Sequence, residues 1–254
     1  MHHSYLDKYA RRDSPLHRLD ARPKLLLVVS LVILIAQVRT PGLIFLLTLT
    51  ALIGLSCLTA RLPLDYLLLR SAVVFPFSGF AAISLAFTID GAHPLWRWGS
   101  LAITETGLHR AAALMLRSWM AVCFMILLIN TTPFDRLLRA LRSVKIPSVF
   151  ILLLSFLYRY LYLLWDEAER MQRARNLRYF GGQWAKQISL LGSIAAALFL
   201  RSYERAERVQ KAMISRGWTG EEIMMRTGAL SRKDLAALVT GGLLIIGLWM
   251  IRGH

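Results

Sequence analysis

Two tripeptides hold the residues best suited to chemistry at a surface: Ala174-Arg175-Asn176 and Ser215-Arg216-Gly217. Each closes a copy of one device, because AERMQRA (168–174) realigns onto AERVQKA (206–212). An arginine offers a rigid fork of donors that pairs with carboxylates and carbonyls. A small residue beside it lets a partner surface come close. At a helix C-terminus the cation also meets the partial negative charge of the last carbonyls, and Gly or Asn can stop the helix there. One such site reads most simply as a helix end. Two of them, closing duplicated helices, point to the gripping of another protein.

The elements that must carry these arginines are two long helices. In the first, Phe150, Leu153, Leu154, Leu157, Leu161, Leu164, Trp165, Ala168 and Met171 recur at helical spacing and form an apolar stripe. In the second, Ile188, Leu191, Ala195, Leu198, Ser202, Ala206, Val209 and Met213 do the same. The opposite faces carry Glu167, Arg170 and Arg173, then Arg201, Glu204, Arg205 and Arg208. The two helices, joined through Gly181-Gly182, are expected to pack on each other, with Gly217 at the C′ position of the second and Asn176 as a weaker stop for the first.

The rest of the chain is a membrane protein by composition. Of its 254 residues, 56% are hydrophobic, and mean hydropathy is +0.49; soluble domains are usually about 45–50% apolar. The net charge of +16 is distributed between apolar runs, not over one soluble face. That arrangement follows the positive-inside rule and argues against nucleic-acid binding, for which no module pattern is present. Cys57 and Cys123 lie in apolar runs without metal or redox spacing and read as small core residues. No signal peptide is expected, since residues 1–22 are charged and lack an apolar core.

Five apolar runs read as spans: Leu25 to Val38, Leu43 to Ala60, Tyr66 to Ile89 (with Pro76 and Gly79 inside), Gly107 to Asn130, and Leu235 to Ile251. A tight turn is expected at Arg39-Thr40-Pro41-Gly42, and a loop with Trp96 and Trp98 over residues 90–106. Val149 to Trp165 and Ile188 to Leu200 are read as non-spanning. The second has only 13 residues, against the roughly 20 a span needs. For the first, charge decides: with the basic N-terminus in the cytoplasm, four spans return the chain there at Thr131, ahead of the basic amphipathic FDRLLRALRSVK. A crossing by Val149 to Trp165 would put Arg170, Arg173, Arg175 and Arg178 outside, against the positive-inside rule. The expected fold is thus an all-α integral membrane protein with about five spans plus long amphipathic cytoplasmic helices. Its segments are an N-terminal piece 1–22, four spans in 23–133, a cytoplasmic region 134–234 and a last span in 235–254, ending outside.

Paired small-Arg-small tripeptides at the ends of two long cytoplasmic helices resemble the transmembrane T component of energy-coupling factor transporters. The string SPLHRLDARPKLL and the Thr131-Thr132-Pro133 step also resemble the cobalt-type members, CbiQ. Two departures are small: Asn176 stands in place of Gly, and Ser215 in place of Ala. The resemblance implies a non-catalytic subunit of the bacterial cell membrane. Its coupling helices dock on two ABC-type ATPase subunits (CbiO-like) and contact a substrate-binding membrane subunit (CbiM-like). Arg175 and Arg216 would be the anchors, with Ala174, Asn176, Ser215 and Gly217 shaping the ends. No cofactor is expected in this chain: ATP and Mg belong to the ATPases, and a cobalt ion to the substrate-binding subunit as cargo. Nickel and vitamin importers use similar T components.

Other chemistry is poorly represented. GxxxxGK[ST], HExxH and GxSxG are missing from the sequence, and the spans hold no concentration of carboxylates. A channel or permease would need polar residues along a path, and Leu25 to Val38 and Leu43 to Ala60 have almost none. A membrane scaffold without transport leaves the duplicated arginine ends unexplained. His2 and His3 with the free amine could bind nickel or copper, but on the cytoplasmic side, where an imported ion is not loaded. His93 and His109 are read as bystanders. Arg117, deep in the fourth run, is expected to pair structurally, because a charge at membrane depth is costly.

Overall fold

The computed structural model describes residues 14–38, 41–86, 94–98, 101–144, 146–178, 184–218 and 231–251. The expected features at His2, His3, Arg39, Thr40, His93 and Gly181-Gly182 lie outside these residues. The chain divides into two units, one of His2–Ala140 with Gly228–His254, the other of Leu141–Thr227.

The first unit is a helical bundle. Its elements are α1 (Pro15–Arg18), α2 (Ala21–Gln37), α3 (Leu43–Ala60), α4 (Leu64–Ser71), α5 (Val74–Ala86), a hairpin of β1 (Pro94–Trp98) and β2 (Leu101–Thr104), α6 (Glu105–Thr131), α7 (Phe134–Ser143, reaching the boundary between units) and α10 (Arg232–Ile251). Phe45, Leu49, Ile53 and Cys57 recur every fourth residue on α3 and are buried against Leu31, Leu34 and Ile35 of α2 and Met120, Cys123 and Phe124 of α6. Lipid tails are as apolar as leucine, so this association rests on close packing and internal hydrogen bonds more than on the hydrophobic effect. At Gly241 of α10 a Cβ would stand 2.7 Å from both terminal methyls of Leu27 in α2, so the absence of a side chain there permits the approach.

Polar contacts set how the helices run. Lys24 donates from Nζ to the Thr131 carbonyl at 3.3 Å, and Asp20 donates its backbone N–H to Asp234 Oδ1 at 2.9 Å. The beginnings of α2 and α10 therefore meet the end of α6. Further in, Arg117 donates through Nη1 to the carbonyl of Val38, the C-cap of α2. Lys24 to Val38 and Thr131 to Arg117 are equal stretches, each roughly 21 Å of helix, so α2 and α6 run antiparallel side by side. Residues 20, 24, 131 and 234 therefore meet at one end of the bundle.

Among the described residues, four helices are long and apolar enough to cross: α3, α6, α10 and α8 (Ser148–Arg178). The pair α4 and α5, bent by 45°, makes a fifth. Two sequence expectations change here. The run from Tyr66 to Ile89 is not one helix: it breaks at Ala72-Val73, four residues before Pro76, whose ring and missing N–H disfavour a helical bond to the Ala72 carbonyl. The stretch 90–106 is not simply a loop, since β1 and β2 pair antiparallel with Trp98 opposite Leu101; tryptophan and isoleucine suit strands. The stretch Val149 to Trp165, read as non-spanning, lies in a helix that meets the length and composition of a span. The helix α9 (Trp184–Ser215) does not meet them. Finally, α2 has 17 residues, about 26 Å of helix against a hydrocarbon core of about 30 Å.

Candidate functional site

The second unit contains α8 and α9, and the end of α9 is built as its sequence suggests. Gly217 takes φ +81°, a left-handed conformation open to glycine without steric cost. Its N–H donates to Ile214 O at 2.9 Å, and the Trp218 N–H reaches back to Met213 O at 3.0 Å. These are the two bonds of a Schellman cap, which satisfies carbonyls that a helix end leaves open. Ser215 Oγ donates to the Lys211 carbonyl at 2.6 Å. Arg216 therefore stands at the cap position, exposed, between two exposed small residues.

The end of α8 is different. The helix continues through Asn176 to Arg178, so Asn176 is an exposed helical residue and not the stop. Asn relieves left-handed strain less completely than Gly, so it terminates helices less strictly. Ala174 is exposed beside it. Arg175 is half-buried, and its Nε is enclosed without a hydrogen-bond partner among the described residues. The two arginines are thus presented unequally, one from a capped tip and one from a helix side.

The two helices are tied at Glu167. Its carboxylate accepts from Arg201 of α9 and pairs with Arg170 of its own helix at 3.0 Å. The Arg201 hydrogen bond, reinforced by the charge of Arg170, holds the Glu167 carboxyl below the usual range. Beyond this tie, Phe156, Tyr160 and Leu164 of α8 face Val209 and Met213 of α9 across a cavity of about 370 Å³ that Trp218 also lines. As numbers fall along α8 they rise along α9, so the pair is antiparallel. Arg175 and Arg216 therefore lie at opposite ends of it. With Glu167 opposite Arg201, Arg175 is level with about residue 193, which places the arginines up to roughly 35 Å apart.

The expected matching of stripes holds only in part. Val209, Met213 and Leu164 do face the partner helix, but Phe156 and Tyr160, outside the predicted stripe, complete that face. Phe150, Leu153, Leu157, Leu161 and Trp165 stay exposed.

In the bundle, Arg117 has its structural pairing, with Val38 O and, at 3.1 Å, Ala113 O. Cys57 and Cys123 are buried. His109 is exposed, 4.0 Å from Glu105. Sequence reasoning missed the cluster of His17, Lys24 and Asp234, all buried. His17 Nδ1 lies 2.7 Å from Ser14 Oγ, and its Nε2 lies 3.2 Å from Asn130 O. The signal was available: SPLHRLDARPKLL and Thr131-Thr132-Pro133, singled out separately, are neighbours in space.

The family model described as CbiQ, cobalt transport protein, matches residues 12–226. The energy-coupling factor transporter transmembrane protein EcfT of Limosilactobacillus fermentum is 29% identical over 242 residues, covering 89% of each chain. The EcfT of Ruminiclostridium cellulolyticum is 26% identical, covering 97% of this chain and 95% of its own. A putative fused cobalt transport protein CbiMQ of Methanocorpusculum labreanum is 29% identical over 86% of this chain and 38% of its own length.

Proposed function

This chain belongs to the CbiQ family of cobalt transport proteins, and from that membership we propose that it couples two ATPase subunits to a substrate-binding membrane subunit in an importer of cobalt. It is a multi-pass membrane protein of the energy-coupling factor type, similar to transporter components and not to enzymes. ATP and Mg are handled by CbiO-like partners. The cobalt ion is cargo, bound by a CbiM-like subunit; the name of the CbiMQ relative supports that pairing. The N-terminus and the coupling helices face the cytoplasm in this reading, supported by the arginines of α7, α8 and α9.

One observation carries the proposal. Two arginine-bearing helix ends lie at opposite ends of one antiparallel pair, up to roughly 35 Å apart, which suits two partner grooves and not one. Each guanidinium pairs with carboxylates or carbonyls in its groove. ATP-driven movement of the ATPases then shifts both ends of a unit clamped at Glu167. The test is ATPase co-purification and cobalt uptake by the full complex carrying Arg175→Ala, Arg216→Ala or both. The expected result is partial loss of both in each single variant and complete loss in the double. Retention of ATPases and uptake in the double variant refutes the docking role. Nickel or vitamin uptake in place of cobalt refutes the assigned cargo alone.

A further inference from the structure

The bundle contains a second site, unrelated to the coupling helices. A cleft of about 320 Å³ runs between α2, α3, α6 and α10, walled by Val28, Leu31, Leu52, Phe124, Leu127 and Ile245. It follows α2 from Pro23 to Leu31 and α10 from Ala237 to Ile245, roughly 12 Å in each case. Thr240 and Leu244 on its rim are exposed, so the cleft opens sideways out of the bundle. Among the described residues, its only charged lining residue is Lys24, at the end where α2 begins and α6 stops.

Lys24 is 8% exposed. Its ammonium has three donors, and among the described residues it has one acceptor, the neutral Thr131 carbonyl at 3.3 Å. The carboxylates of that end are engaged by backbone: Asp234 accepts from the Asp20 and Ser231 N–H groups at 2.9 and 3.1 Å, and Asp20 Oδ1 from Arg22 N–H at 3.3 Å. Arg136 adds a second cation there, donating to the His17 carbonyl at 3.3 Å. Asp20 and Asp234 offset the charges of Lys24 and Arg136 in part, without a hydrogen bond to the ammonium among the described residues, so its remaining donors favour an anionic oxygen beside it.

We propose that this cleft holds one acyl chain of an anionic phospholipid, with the lipid phosphate against Lys24. The apolar walls match the chain, and the helix ends at Lys24 and Thr131 lie where headgroups meet the hydrocarbon of a bilayer. The open rim admits the chain laterally from lipid. Any lipid tail could wet the walls, because they gain little from one apolar tail over another. The selection is made by Lys24, so the signature of the site is a preference for headgroup charge.

The experiment is native mass spectrometry of the full chain released from nanodiscs of equal phosphatidylglycerol and phosphatidylcholine. Wild-type protein is expected to retain one phosphatidylglycerol with about fivefold preference, the size of effect one basic residue exerts near a membrane surface. Lys24→Arg keeps the preference, and Lys24→Met reduces it to parity. Ala237→Phe, which fills the cleft from α10, removes the bound lipid of either kind. Equal retention of the two lipids by wild type overturns the proposal, as does retention of a free fatty acid only, or an unchanged preference in Lys24→Met. Should Lys24→Met not fold, the wild-type ratio and Ala237→Phe decide.

Discussion

Arg117 shows how one side chain can complete a helix end in an apolar setting. The last carbonyls of α2 have no partner within the helix, and lipid offers none. The guanidinium of Arg117 reaches the Val38 carbonyl and fills that need. Replacing Arg117 by Leu leaves this carbonyl open and is expected to cost about 1–3 kcal/mol, read as a lowered unfolding midpoint in detergent, with Arg117→Lys intermediate. Glu167 acts in the same way for the coupling pair, and its dependence on pH follows from the sign of its shift. Arg201 and Arg170 lower its folded-state pKa, so its contribution is complete above the unfolded value of about 4.3 and fades as pH falls through the lower folded value. Exchange protection of α8 and α9 should therefore be reduced by Glu167→Gln at pH 7, and the difference should vanish only at a pH below the lowered folded value. Equal reduction at both pH values argues that the carboxylate charge is not what ties the helices.

At the scale of an element, the two tips of the coupling pair differ in what they need. The tip of α9 depends on a left-handed Gly217, and Gly217→Val forces a branched side chain into that conformation at a cost of about 1–2 kcal/mol. The expected outcome is fraying from Met213 onward, seen as faster amide exchange there, together with weaker ATPase retention. Asn176→Val should leave α8 intact, because that residue is already helical. In the bundle, Gly241→Leu drives a side chain into Leu27 and should cost about 1–3 kcal/mol by overpacking. Thermal unfolding compared with Gly242→Leu, where a Cβ meets nothing within 4 Å, isolates that effect.

At the scale of the whole molecule, the shared end predicts even parity, that is, an even number of crossings between residues 24 and 131 and between 131 and 234. The ends of α2, α6 and α10 share one side of the bundle. Single cysteines at Asp135 and Ser231, both exposed, should react with an impermeant maleimide from the same side of the membrane. Cys57 and Cys123 are buried and give little background. A cysteine at Lys211 on α9 should share that side. Labelling of Asp135→Cys and Ser231→Cys from opposite sides breaks the parity; labelling of Lys211→Cys alone from the far side shows that the coupling helices cross.

Hydropathy, charge and the repeated heptapeptide determined a great deal without coordinates: the membrane class, the two long helices and the Gly217 cap. These follow from local patterns, since a run of apolar residues, a period near 3.6 and a terminal glycine act over a few neighbours. Tertiary structure alone decided what depends on distant residues. It paired Lys24 with Thr131, Asp20 with Asp234 and Arg117 with Val38, and it set α8 antiparallel to α9 with the arginines at opposite ends. Such contacts join positions remote along the chain, and their geometry arises only when helices pack in register. For the same reason the Lys24 cleft has no sequence motif: its walls come from four helices and its charge from the first turn of one.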